Sequence, residues 1–337
     1  MDNFKKIGLT ALAGSLAVAS ANAAEMSVSG ATLLTYTSED ETEVTGNPFG
    51  MKTNLAFTAS GDVNGYTVSY MQTSVDQFAG MSSARLSVDM GDMGTIAFDQ
   101  GSGSGLATID DKTPTAAEEI WDGLDGAGAS TTSAGGLVGA AGNTGVFNYV
   151  NTFGGIGVNA AVRKGSGTAN DDGSSSGAGQ SAMDIAITGS GDMLGLDGLA
   201  WGTGYGLAES GDQSNLAGVS DNDEHWTIFA NYTMGPVTAG YQVSAIQRGA
   251  NGAAGENADA WGVAFNINES LSVSYGERDV EYDNASATNV TEKGEGIAIA
   301  YTMGSMKIAG NRNEVSDNGG TTGSDDSMTE IALSFAF

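Results

Sequence analysis

Met328-Thr329-Glu330-Ile331-Ala332-Leu333-Ser334-Phe335-Ala336-Phe337 closes the chain and alternates without a break. Thr329, Ile331, Leu333, Phe335 and Phe337 form one set, and Met328, Glu330, Ala332, Ser334 and Ala336 the other. Successive side chains of a strand point to opposite faces, so this stretch has one mostly apolar face and one small or polar face. The pattern recurs upstream. Leu271, Val273 and Tyr275 alternate with Ser272, Ser274 and Gly276, and Trp261, Val263, Phe265 and Ile267 with Gly262, Ala264 and Asn266. Val237, Ala239, Tyr241 and Val243 alternate with Thr238, Gly240, Gln242 and Ser244; Leu199, Trp201 and Tyr205 alternate with Ala200, Gly202 and Gly204.

A soluble sandwich would turn the apolar set inward and clothe the other face in long charged side chains. Here the second set is Gly, Ala, Ser, Thr and Asn. Small polar residues suit a water-filled lumen, and a set rich in Tyr, Trp and Phe suits lipid and its interfaces. The expected fold is therefore all-β: a transmembrane antiparallel β-barrel.

Composition agrees. The 337 residues include 52 glycines, 3 prolines and no cysteine, with 40% hydrophobic residues that never gather into a membrane-spanning run. The first residues read as an export signal over 1–23: Lys5 and Lys6, then an apolar stretch from Ile7 to Val18, then Ala21-Asn22-Ala23 as a cleavage site. The mature chain, 24–337, would start at Ala24, with Glu25 the alternative. An exported chain without disulfides must draw stability from elsewhere, and a closed hydrogen-bonded barrel supplies it. Asp plus Glu number 41 against 12 Lys plus Arg, a net charge of −29; without Asp2, Lys5 and Lys6 the count is 40 against 10, or −30. That excess argues against nucleic acid as a partner.

Turns come in two sizes. Short ones rich in Gly, Asn and Asp fall at 61–65, 91–94, 151–155, 192–198, 235–236, 268–270 and 304–305. Longer polar connections alternate with them at 38–48, 75–80, 101–143, 165–180, 210–223, 249–257, 281–293 and 316–326. Strands are expected near 25–37, 49–60, 66–74, 81–90, 95–100, 144–151, 156–164 and 181–190. Eight more follow near 199–209, 224–234, 236–248, 258–267, 270–280, 294–303, 305–315 and 327–337, sixteen in all. Short turns at one end and long loops at the other is the asymmetry of a membrane barrel.

The connection 101–143 exceeds what a hairpin needs. It carries Asp110, Asp111, Glu118, Glu119, Asp122 and Asp125, with Trp121 among them, and flanking glycines let it bend. It is expected to fold into the lumen as a constriction loop, with 113–121 as one short helix opened by Pro114. The bland alternative is an acidic surface loop. Lys52, Arg85, Arg163, Arg248 and Arg278 fall on the small/polar face, so they are expected to line the pore opposite that loop and to set a transverse field. Plain salt bridging in the wall would explain them equally. The register leaves Lys164, Lys293, Lys307 and Arg312 unassigned.

Catalysis finds little footing. His225 is the single histidine and reads as a rim residue. No zinc or redox cluster is available, so no cofactor is expected. Asp221-Asn222-Asp223, Asp171-Asp172 and Asp325-Asp326 could take loop-bound calcium, although none has the spacing of a calcium loop.

With the export signal followed by Ala24-Glu25-Met26-Ser27-Val28-Ser29-Gly30, the Arg85-Leu86 strand, the long third loop and the ending Ala332-Leu333-Ser334-Phe335-Ala336-Phe337, the chain resembles the general-diffusion porins of Gram-negative bacteria, of the alphaproteobacterial type. The resemblance implies an outer-membrane homotrimer, a third loop that narrows the pore, and passive passage of small hydrophilic solutes and ions. It also makes Phe337 similar to the signal read by the insertion machinery. The low basic content departs from the pattern and points to weak cation selectivity. Two alternatives stand beside this: a substrate-specific channel, which should carry an aromatic track on the lumen face, and a non-channel surface barrel or adhesin.

Overall fold

The computed structural model describes residues 25–39, 47–75, 82–124, 140–141, 144–165, 181–209, 222–249, 255–283 and 290–337. Among them the chain forms sixteen antiparallel strands in one closed barrel. The first eight are β1 (Glu25–Glu39), β2 (Phe49–Val63), β3 (Tyr66–Val75), β4 (Ser83–Asp89), β5 (Thr95–Gln100), β6 (Thr144–Phe153), β7 (Ile156–Arg163) and β8 (Ala182–Ser190). The second eight are β9 (Leu199–Ala208), β10 (Asp223–Met234), β11 (Val237–Gln247), β12 (Gly255–Asn266), β13 (Leu271–Asp283), β14 (Glu292–Met303), β15 (Met306–Ser316) and β16 (Asp326–Ala336). Each strand pairs with its sequence neighbour, and β1 pairs with β16 to close the ring. Closure leaves no unpaired edge. At the seam the Phe337 N–H donates to the Gly30 carbonyl at 2.9 Å, and the Gly30 N–H donates back to the Phe337 carbonyl at 3.0 Å.

The expected alternation holds. Ile331, Phe335 and Phe337 are exposed on the outer face, whereas Met328 and Ala332 are buried on the inner one. Phe57, Tyr70, Leu86, Tyr205, Tyr241, Phe265, Tyr275, Ile297 and Tyr301 are likewise exposed outward. Large apolar side chains outside and small polar ones inside invert the order of a soluble protein.

The tight turns follow their residues. Asn64 and Gly65 link β2 to β3 with φ of 56° and 86°, the two positive angles of the hairpin turn that suits strand twist. At the other end the ladder runs further than expected: β12 starts at Gly255, and β13 continues to Asp283. The tips expected at 249–257 and 281–293 are correspondingly shorter.

The barrel's packed interior lies under the connection between β5 and β6. A single 3-10 turn, Gly105–Thr108, sets Leu106 and Ile109 against Ala186, Phe229 and Ile246 of the wall. The helix expected over 113–121 is absent; that stretch runs as bends. Its backbone groups are claimed from outside: the Ala116 N–H donates to Ser274 Oγ at 2.8 Å, and Asn313 Nδ2 donates to the Glu119 carbonyl at 3.0 Å. The expected signal, residues 1–23, lies outside the described residues.

Candidate functional site: the lumen and its inserted loop

The loop enters and leaves the lumen on one carboxylate. Asp184, on the inner face of β8, accepts the Leu106 N–H at 2.9 Å through one oxygen and the Ala141 N–H at 2.7 Å through the other. Gly105, at φ 59°, lies so close that a Cβ there would strike Asp184 and Ala161, and its N–H donates to Asn159 at 2.8 Å. Wall amides carry the loop onward. Gln242 Nε2 donates to the Ile109 and Asp110 carbonyls while its oxygen accepts the Lys112 N–H, and Asn231 Nδ2 donates to the Lys112 carbonyl. Asn313 Nδ2 donates to the Glu119 and Asp122 carbonyls at 3.0 and 2.9 Å.

Between these pins the loop lies in a trench made of glycine. Gly240, Gly262, Gly276 and Gly296 are consecutive cross-strand partners on β11, β12, β13 and β14. Asn231 flanks the row at one end, and Asn313 and then Met328 at the other. Pro114 rests on Gly240 and Gly262, Ile120 on Gly276 and Gly296, and Met328 on Gly123. Leu124, Val315 and Met328 close the far end as an apolar clasp. The absence of side chains along one row lets a second layer of backbone fit inside the barrel.

Asp110, Asp111, Glu118, Glu119 and Asp122 converge on this loop; Asp125 lies outside the described residues. Asp111 forms an ion pair with Lys112 at 3.6 Å, and its charge bears on both Asp110 and Glu119. Burial, then the Asp111 charge, push Asp110 up to about 7. Burial raises Glu119 too, helped by Asp111 and Glu118. Asp122 is raised by burial and by Glu118, with Lys52 opposing.

The five expected pore-lining cations all lie on the inner face or its continuation, but they do not form one row facing the loop. Arg85 is held by Asp99 at 3.7 Å, by the Gly103 carbonyl at 3.1 Å and by Asn148. Arg248 pairs with Asp223 at 3.4 Å and Glu256 at 3.1 Å. Arg278 is buried, 3.5 Å from Glu292 and stacked over the Trp121 ring at 5.2 Å. The charge of Arg163 bears on Asp184. Lys52 on β2 is the one whose charge acts on Asp122 of the loop and on Glu330 of β16. The transverse field expected from five cations is thus reduced: neighbouring carboxylates neutralise most of them, because buried charges are kept by pairing.

Sequence reading missed Lys112, Asp99, Asp184 and Glu330. Alternation puts Glu330 inward, opposite Thr37 and Asn311, and that signal was present in the final stretch. Asp99 is fully buried and ties the loop's start, accepting Ser104 Oγ at 2.6 Å and the Ser102 N–H at 2.9 Å. His225, the third residue of β10, is buried on the inner face, across from Gly206 and Ile246. Asp223, read as a calcium candidate, pairs with Arg248 at 3.4 Å, and Asp171, Asp172 and Asp221 lie outside the described residues. No grouping of three or more metal-ligating side chains stands ready for an ion among the described residues.

Neither a family model nor a curated protein sequence matches the chain. Solved structures match its architecture. OmpT, an outer membrane protein of Vibrio cholerae folded in vitro, is 11% identical with a TM-score of 0.64, covering 93% of this chain and 98% of that one. An OmpT variant lacking loop L8 is 12% identical with a TM-score of 0.64, over 94% and 100%. A triple mutant of the Rhodopseudomonas blastica porin is 13% identical with a TM-score of 0.61, over 93% and 100%. At these identities the likeness is one of fold: a sixteen-stranded, porin-like barrel.

Proposed function

We propose that the chain is a passive outer-membrane channel for small hydrophilic solutes and ions, weakly selective for cations and without catalytic activity. The observation that carries this reading is the loop pinned inside a closed barrel with its acidic side chains gathered beside Lys52 and Glu330. Fixed charges at a narrowed passage bias which ions pass. Here the carboxylates of Glu118, Asp122 and Glu330 stand against Lys52, so the balance favours cations.

The outward apolar belt supports placement in a lipid bilayer, because a closed barrel satisfies every strand hydrogen bond internally. The porin-like neighbours support the outer membrane as that bilayer, and the Lys5-to-Ala23 stretch supports export by a cleaved signal. Assembly as a homotrimer rests on the family resemblance alone. A substrate-specific channel is less well supported. The inner-face ring of Phe229 is covered by Leu106 and Ile109, and Trp121 is stacked on Arg278, so these rings do not form an open track. Reconstitution in planar bilayers tests the proposal: ohmic conductance with a reversal potential of cationic sign supports it, and saturating, solute-blocked conductance favours the specific channel.

A further inference from the structure

We propose that the turn between β15 and β16 is a control point for the passage, with Glu292 as the positioning residue that couples it to the inserted loop. The turn, 317–325, stands at the long-loop end of the barrel and is bonded to itself. Asp317, at φ 53°, gives its N–H to Asp325 at 3.2 Å and accepts the Gly323 N–H at 2.7 Å. The Asn318 N–H donates to the Ser324 carbonyl at 2.7 Å. Side-chain bonds of the Asp317 kind fix a turn locally, so this one moves as a piece. It rests on one carboxylate. Glu292 of β14 turns one oxygen toward it, accepting the Gly319 N–H at 2.9 Å and the Tyr282 hydroxyl at 2.6 Å. Its other oxygen stands 3.5 Å from Arg278 of β13, which stacks on the Trp121 ring of the inserted loop at 5.2 Å. Glu292 and Arg278 are 4% and 5% exposed, so water and salt screen their attraction little. Contact is tight on the turn side too: a Cβ on Gly320 would stand 2.7 Å from the Tyr282 ring.

The strands that carry the turn hold the same stretch of loop. Asn313 and Val315 precede the turn on β15, and Met328 follows it on β16. Asn313 holds the Glu119 and Asp122 carbonyls on either side of Trp121, and Val315 and Met328 pack on Leu124. Residues 119–124 are therefore tied to the turn, whereas the start and the return leg of the loop are tied to Asp184 on β8. The two ends hang from different parts of the wall. A displaced turn shifts one end only, and that end carries Asp122, which faces the charge of Lys52. Chains of packed and bonded groups carry coupling of this kind.

The inference rests on the channel reading above, and the experiment separates the two. The chain holds no cysteine, so Thr322→Cys, at an exposed position of the turn, gives a single attachment point. The mature chain is recorded in planar bilayers before and after a maleimide-linked polyethylene glycol is added at the long-loop side. Asn222→Cys, exposed on a different connection, is the control. Labelling at Thr322→Cys should shift the cation-to-anion permeability ratio by about twofold, and labelling at Asn222→Cys should leave it unchanged. Glu292→Gln keeps an acceptor for Gly319 and Tyr282 but drops the charge that holds Arg278, so in that background the shift should shrink. Trp121→Leu breaks the same connection from the loop side without touching the wall, and it should shrink the shift even if Glu292→Gln does not fold. Equal shifts from the two labels, or a shift undiminished in both backgrounds, would overturn the proposal, because the label would then act by plugging the mouth. A conducting chain whose ratio ignores the label at Thr322→Cys would overturn it as well. An unlabelled chain that inserts and carries no current would overturn the channel reading, and the control point with it.

Discussion

Gly262 and Pro114 are in direct contact across the lumen: a Cβ built on Gly262 of β12 would stand 2.8 Å from the Pro114 carbonyl oxygen and 3.4 Å from its ring. No wall atom is that near, so the missing side chain serves the loop alone. Gly262→Val should leave the barrel closed and push the loop off its seat, at a cost of about 1–3 kcal/mol as in other overpacked sites. The loop is displaced away from the wall and into the lumen, so single-channel conductance should fall, and the melting temperature should fall slightly. Unchanged conductance would mean that the loop does not define the narrow passage.

Charge at the passage is open to a paired test. Lys52→Ala should shift the reversal potential further toward cations, and Asp122→Asn or Glu330→Gln should shift it back. Arg248→Ala should move selectivity less than Lys52→Ala, because Arg248 is already matched by Asp223 and Glu256. A larger shift from Arg248→Ala would place the controlling charge at the wrong height.

Selectivity should also depend on pH near neutrality. Asp110 is raised to about 7 by burial and by Asp111, so it is largely protonated at pH 5.5 and largely charged at pH 8.5. Cation preference should therefore grow as pH rises through 7. The stability contribution runs the other way. A carboxyl with a raised folded pKa favours the folded loop below the ordinary Asp range, and that contribution is lost as pH rises through about 7. Asp110→Asn should flatten the selectivity profile between pH 5.5 and 8.5. A profile unaltered by that change would assign the titration elsewhere.

Much of this arrangement was legible in the residues, and the limit is physical. Alternation alone gave the inner and outer faces, because a strand's period is two. Register can be read across a tight turn: Gly262 and Gly276 lie seven positions either side of Glu269 and do pair. Register cannot be read across a long loop, so the pairing of Gly240 with Gly262, or of Gly276 with Gly296, was invisible, and with it the trench. The same blindness led to a helix over 113–121. Local preference favoured it, but Ser274 and Asn313, more than a hundred residues away, take the backbone groups it needed. Arg85, Arg248 and Arg278 were placed on the correct face, yet their partners come from neighbouring strands and loops, which alternation does not reveal.

Asp184 joins the two legs of the loop, and its loss should loosen both. Asp184→Ala leaves the Leu106 and Ala141 N–H groups without their acceptor, at about 1–3 kcal/mol for each buried group left unsatisfied. Limited proteolysis should then cut within 101–143 faster, and channel current should become noisier. Equal protection of wild type and variant would show that the loop is held by its trench contacts alone.

The two backbone hydrogen bonds between Gly30 and Phe337 extend the β1–β16 seam. Deleting Phe337 removes both of its backbone hydrogen bonds and an exposed outward ring. Thermal unfolding in detergent should occur at a lower temperature, and insertion into liposomes should fall. A deletion variant with native melting and insertion would reduce the last residue to a frayed tail.

The central claim is that a fixed loop narrows an open, acidic passage through a closed barrel. Planar-bilayer recording of the purified mature chain across a salt gradient tests it most directly. The account predicts large, ohmic conductance with a modest cationic reversal potential, closing in three equal steps when the protein is trimeric. A barrel that inserts but carries no current, or one whose reversal potential has the anionic sign, would contradict it.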